Sequence, residues 1–260
     1  MLAIVVVAAC GMQLAAFVTT IYLHRGLAHR AVRFPSRLSL LLRATIWLLT
    51  GMIPRQWVAV HRKHHHFADV EGDPHSPMIF GLWEVLLGNF IFYRREARKQ
   101  ATIDKFAPDI VPDRWDRWLF DRSLLGPMTT VAGLALFLGL ARAAFAVALM
   151  MTVYALAGAG VNALGHSIGY RNFPNTATNL RVLALFTAGE GLHNNHHARP
   201  GIAKFAARLG EVDPGWYLIR VLDEVGLVSS VKTRRPELSN RRLRDVLPDS
   251  GGADAGPGRQ

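Results

Sequence analysis

The sequence predicts an all-α integral membrane protein that gathers histidines beside one membrane face. Three observations carry this. Half of the 260 residues are hydrophobic and the mean hydropathy is +0.17, high for a soluble enzyme. Several apolar runs approach the roughly 20 residues that cross a bilayer as a helix. Nine of the eleven histidines fall in four short clusters lying between those runs.

Residues 1–23 contain no charged side chain and form the first expected span. They lack the basic leading region of a secretory signal peptide. Segment 38–53 is shorter and contains Arg43, and segment 79–93 contains Glu84; both have the length of interfacial or buried helices. Residues 94–122 are charged and polar, with Trp115 and Trp118, as expected beside a membrane. Segments 124–140 and 143–164 read as a helical hairpin with its turn near Arg142. The tail 237–260 is polar and expected to be disordered, which leaves 1–236 as one membrane domain. The formal charge of +11 comes from arginines and lysines placed between apolar segments. That placement fits basic loops on the cytoplasmic side of a membrane and excludes nucleic acid as the expected partner. The single cysteine, Cys10, excludes an internal disulfide, an iron–sulfur cluster and a C-x-x-C redox pair.

The four clusters are His24…His29, His61-Arg62-Lys63-His64-His65, Asn162…His166 and His193-Asn194-Asn195-His196-His197. If they serve one site, they lie on one side of the membrane. A full crossing by 38–53 would separate the first two, so this segment should lie in the interface or re-enter. Three spans result, with the amino terminus outside. That count is odd and Met1 begins inside an apolar run, so a further span upstream is expected.

On a helix, His61, His64 and His65 sit at i, i+3 and i+4 on one face, as do His193, His196 and His197. Each triplet can face one or two ions. His24 and His29 lie about 140° apart on an ideal helix. They diverge unless the helix bends, for example at Gly26, or they serve different ions. Asn162 and His166 stand side by side, and the amide can hold a metal-bound water. His66 and His75 are read as non-ligands. The H-E-x-x-H of zinc proteases and the E-x-x-H of carboxylate-bridged di-iron bundles are absent. Imidazole suits iron, copper, zinc and nickel. The best-motivated use of so many neutral histidines is iron that activates O₂ beside a membrane, with access to an unactivated hydrocarbon.

In HRGLAH, HRKHHHFADVEGDPH, NALGHSIGYRNF and GEGLHNNHH the chain resembles the membrane fatty-acid desaturases, specifically the Δ9, stearoyl-CoA-desaturase-like branch in its prokaryotic form. The motifs occur in family order, and the resemblance covers about residues 1–230. It implies a mushroom-shaped helical fold whose cytosolic cap holds two iron ions. Carried over by position, the ligands are His24, His29, His61, His64, His65, His166, His193, His196 and His197, with Asn162 acting through a water. Asp73 and Glu190 fall where acidic groups orient imidazoles. Trp57 is expected to line the acyl tunnel, and Ala8, Met12 and Ala15 of the first span to set its depth.

The implied activity is an O₂-dependent introduction of a cis double bond, at Δ9, into a saturated acyl chain. The animal acyl-CoA enzymes carry Arg-Asp where this chain has Ala59-Val60. The carrier is therefore left open among CoA, a glycerolipid and an acyl-carrier protein. The electrons must come from a separate donor, such as a ferredoxin, a cytochrome b5-like protein or a flavin reductase. The expected location is a bacterial cell membrane, with the site on the cytoplasmic side. Two alternatives remain: a related hydroxylase or ketolase of lipid, alkane or carotenoid, and a membrane metal-binding or transport protein.

Overall fold

The computed structural model describes residues 1–233, and the tail expected to be disordered lies outside them. Among the described residues the only β pairings are isolated bridges. Eleven helices follow in order: α1 Leu2–Val18, α2 Ser36–Thr50, α3 Pro54–Phe67, α4 Pro77–Phe80, α5 Leu82–Ala97, α6 Gln100–Phe106, α7 Leu125–Leu138, α8 Leu140–Leu164, α9 Arg181–Phe186, α10 His193–Ala198 and α11 Pro214–Glu224.

α1 continues without a break into a π-helical segment, Thr19–Ala28. The joined helix Leu2–Ala28 and α8 are both long and apolar enough to cross a membrane. They pack in parallel. Gly11 lies against Met150, where a Cβ would come within 2.4 Å of its sulfur. Farther along, Thr19 and Tyr154 share a hydrogen bond of 2.7 Å. Without a hydrophobic drive between helices in lipid, such close approach of a small residue supplies the packing contact. The hairpin α7–α8 is present, but its turn is at Gly139 rather than near Arg142. Gly139 adopts φ +78°, a left-handed conformation that favours glycine. α7 is therefore only 14 residues long.

The segment expected at 38–53 is α2. Its charge is neutralised: Arg43 donates to Asp116 at 2.8 Å and to Asp113 at 2.7 Å. α2 runs beside α1 and α7, where Thr130 donates to the Leu48 carbonyl at 2.8 Å. At Gly51–Ile53 the chain bends by 85° into α3. Gly51 closes α2 in the left-handed region, and Pro54 opens α3 at its first position. The bent pair carries His61–His65 back to the side on which His24 and His29 sit. By length and composition the bent pair is either one broken span or a re-entrant loop. The 79–93 stretch is α4 and most of α5, whose Trp83, Leu87 and Ile91 form an exposed apolar stripe.

Buried polar contacts fasten the cap. Arg25, fully buried, donates to Asp213 at 2.7 Å and lies over the Phe205 ring. Asp213 also caps α11 and accepts from the Phe205 amide. Glu96 ties three helices by accepting from Lys63 of α3, from Lys99 and from Thr102 of α6.

Two predictions follow from this packing. A Cβ on Gly126 would meet the Trp47 carbonyl oxygen at 2.0 Å, so G126A must push α7 from α2 and cost roughly 1–3 kcal/mol, read as a lowered Tm in detergent. Burial opposes ionisation of Glu96, yet its hydrogen bonds to Lys63, Lys99 and Thr102 bring its carboxyl down to about 2. A depressed carboxylate stabilises the fold above its unfolded value of about 4.3 and loses that contribution as pH falls toward the folded value. Wild-type Tm should therefore fall more steeply than that of E96Q between about pH 5 and about pH 2; parallel curves would remove Glu96 from the acid response.

Candidate metal centre

The nine histidines form two adjacent clusters. In the first, His24, His29, His61, His65 and His196 place their ligating nitrogens within 4.8 Å of one another; in the second, His64, His166, His193 and His197 do so. The clusters touch through His65 and His197, whose rings stack 4.3 Å apart.

Local backbone geometry explains this sorting. In α3 and α10, residues at i and i+4 point together, while i+3 points aside. His61 and His65 thus enter the first cluster and His64 the second. In α10 the roles reverse: His193 and His197 enter the second and His196 the first. The divergence expected of His24 and His29 is removed by the π-helical segment. There the His29 amide bonds the His24 carbonyl five residues back, at 3.0 Å. Residues five apart are then neighbours, and both imidazoles reach one cluster without a kink at Gly26.

Most contacts within the clusters join Nε2 to Nε2: His29 with His61 at 2.8 Å, His24 with His196 at 2.9 Å, and His65 with His196 at 2.9 Å. The outer nitrogen is held by carboxylates in three cases. His24 Nδ1 is 2.7 Å from Glu190, His64 Nδ1 is 2.9 Å from Asp73, and His166 Nδ1 is 2.7 Å from Asp69. Such contacts fix the tautomer and aim Nε2 inward. His166 Nε2 is buried with no partner, as expected of a nitrogen meant for a metal. Burial and neighbouring histidines lower the pKa of His61, His65, His193, His196 and His197 well below the usual value. They are neutral at physiological pH, the form in which imidazole binds a metal. The donor set fits a pair of iron ions by number and convergence.

Asp69 was not singled out in the sequence. It lies in the left-handed region, φ +63°, and accepts from Ser76 as well as facing His166. Burial acts against its ionisation, but the contact with His166 prevails and holds its carboxyl far below the usual range. The available signal was a second acidic residue one helical turn before Asp73.

The two asparagines inside the third box were also missed. Asn194 accepts from the Asn172 and Phe173 amides and donates to the Phe173 and Ala177 carbonyls. Asn195 donates to Glu211 and to the Phe205 carbonyl. A six-residue helix is too short to hold itself, and these contacts anchor it. His66 lies against Phe67 and Phe106, away from both clusters. His75 is outside them too, although it forms a smaller group with His64 and Asp73.

A cavity of about 560 Å³ opens from the clusters. His61, His193, Glu190 and Asn162 line one part, and Asn162 donates to Asn89 across it at 3.3 Å. Trp57 lines the cavity and stacks on His61, with ring centroids 4.7 Å apart. Ala8, Met12 and Ala15, expected to set tunnel depth, do not line this cavity. Ala8 and Met12 pack against Val147 and Met150, and Ala15 joins the core around Leu42 and Ile46. The tight α1–α8 contact at Gly11 leaves no room there, so the first span reaches the cavity only at Ala16 and Thr19.

The model of the family described as fatty acid desaturase matches residues 1–209. The chain belongs to the fatty acid desaturase family. Among curated relatives, Delta-9 acyl-lipid desaturase 2 of Arabidopsis thaliana is 30% identical over 88% of this chain and 74% of its own length. The sn-2 palmitoyl-lipid 9-desaturase of Nostoc is 32% identical over 82% and 76%. Acyl-CoA 5-desaturase AL21 of Anemone leveillei is 31% identical over 89% and 71%. This desaturase is an enzyme of an iron-dependent, membrane-bound family that acts on fatty acyl chains.

Loss of an outer contact should weaken metal binding by about 10–100-fold. D69N, which keeps the shape but not the charge, is expected to lower iron retained per chain after dialysis against a chelator, while helical content by circular dichroism stays unchanged. Wild-type iron retention in D69N would remove Asp69 from the support of His166.

Proposed function

We propose that this desaturase places a cis double bond at Δ9 of a saturated acyl chain, using two iron ions. The carrying observation is the division of nine imidazoles into two adjacent clusters at the end of an acyl-sized cavity. His24, His29, His61, His65 and His196 would hold one iron. His64, His166, His193 and His197 would hold the other, with Asn162 acting through a water. Two irons held there would supply the O₂ chemistry that, with two external electrons, takes one hydrogen from each of two adjacent carbons.

The remaining work falls to the chain itself. Glu190, Asp73 and Asp69 keep the Nδ1 protons of His24, His64 and His166 outward, so that Nε2 stays free. A saturated chain has no polar handle, so position must be read from shape. Trp57, stacked on His61, forms a rigid wall beside the clusters. Ala16, Met151 and Ala155 leave an apolar path. Thr19 and Tyr154 satisfy each other's hydroxyls across that path, so the chain meets no unpaired polar group there. The histidines are buried or nearly so, which keeps bulk water from the reacting carbons.

The electron donor is a separate protein of the ferredoxin, cytochrome b5-like or flavin-reductase kind. The site faces the cytoplasm of a bacterial cell, with basic loops on that side. The curated relatives support the acyl-lipid and acyl-CoA readings alike, since their names cover both.

Expression in a host without its own desaturase, followed by mass spectrometry of derivatised fatty acids, tests this reading. Cis-9 monounsaturated chains are expected from the wild type and none from H64A or H196A. A hydroxylated chain of unchanged saturation would instead assign a hydroxylase. Full product from either histidine variant would end the two-iron proposal.

A further inference from the structure

Close backbone contacts shut the cavity at two places. At the end far from the histidines, α1 and α8 meet where Gly11 lies against Met150. Beside the bend between α2 and α3, Gly51 fits against the Ser123 carbonyl more closely than any Cβ would allow. The mouth lies where lining residues are also exposed. Four of them are: Phe90, Arg98, Leu124 and Gly158.

Three of these four carry no charge, and the two large ones continue into apolar outer surface. Phe90 is 61% and Leu124 75% exposed. Leu87, one turn before Phe90 on α5, and Met128, one turn after Leu124 on α7, are exposed as well. Gly158 stands on the cavity-lining row of α8, one turn from Tyr154 and one turn from Asn162. A Cβ there would meet no atom within 4 Å, so the row has a gap at that point. α8 is long and apolar enough to cross a membrane, and Gly158 lies about 9 Å along its axis from Leu164, its last residue. Apolar surface of this extent beside a span faces lipid rather than water. Arg98, just past the end of α5, has the length to keep its charge in water at the edge of the mouth.

We propose that the acyl chain enters this cavity sideways from the bilayer, between Phe90 of α5 and Leu124 at the start of α7 and past Gly158 of α8, so that the substrate is a lipid already resident in the membrane. This rests on the cavity being the acyl site of a desaturase. A chain taking this path passes from one apolar medium to another, so its methylenes need not cross water on the way. The missing side chain at Gly158 provides the width of the opening.

The test uses the full chain, as purified, in vesicles of dioleoylphosphatidylcholine. Part of that lipid is replaced by a phosphatidylcholine whose stearoyl chain is brominated at mid-chain, which quenches any tryptophan it touches. Trp57 lines the cavity, and its emission is read as the difference between each protein and the same protein carrying W57F. G158F fills the gap in the α8 row. G133F is the control, because Gly133 of α7 is also exposed, has nothing within 4 Å of its Cβ and lies off the cavity. Trp57 emission should fall as brominated lipid is added to the wild type and to G133F, and that fall should be lost in G158F. Should G158F fold poorly by circular dichroism, L124C in a C10S background, labelled with a bulky maleimide after folding, blocks the same mouth.

Equal quenching of Trp57 in the wild type and in the blocked proteins would overturn the proposal. So would quenching by brominated stearoyl-CoA alone with the brominated lipid without effect, since the chain would then arrive from the aqueous side. A parallel assay supplies iron, a reductase system and distearoylphosphatidylcholine. Should the wild type desaturate nothing there, the desaturase reading fails. The quenching still decides the route of entry, because it requires no turnover.

Discussion

The constraint on which the fold depends is the enclosure of nine imidazoles with their Nε2 atoms facing one another. Left unfilled, such a centre opposes folding, since buried polar nitrogens without partners cost free energy. The surrounding structure is arranged to bear that cost. Glu190, Asp73 and Asp69 grip three rings from outside. Asn194 and Asn195 anchor the short helix that carries three more. Arg25 and Asp213, buried directly beneath His24, lock the π-helical end of the first span to the segment before α11. The membrane helices then serve as the frame that brings these supports together.

Much of this was legible in the sequence because metal ligation and membrane insertion both leave periodic marks. The i, i+3, i+4 spacing of His61, His64 and His65 placed them on one helix face. Parity argues that 38–53 does not cross fully, and the chain does bend by 85° between α2 and α3. What stayed hidden depended on departures from ideal geometry. The pairing of His24 with His29 needs a π-helical segment, which an angle of 100° per residue cannot anticipate. The division of each triplet between two clusters needs the relative tilt of α3 and α10, which no spacing encodes.

The tunnel residues show the limit of arguing from a helix without its neighbours. Ala8, Met12 and Ala15 have the small or flexible side chains expected along an acyl path. Whether such a face meets a cavity or a partner helix depends on α8, and Gly11 against Met150 decides for the partner. Asp69 was obscure for another reason. Its role comes from a left-handed turn that swings its carboxylate toward a histidine 97 positions later in the chain.

The exchange of the i+3 histidine between α3 and α10 also bears on how the protein is made. Each cluster draws on both helices, and α10 closes only at Ala198. A nascent chain that has already made α1, the bent α2–α3 pair and the α7–α8 hairpin still has neither cluster complete. Because domains emerge from the ribosome in order, both clusters become complete in the same late stretch of synthesis. The half-made protein carries neither finished cluster, and the two mature together rather than one before the other.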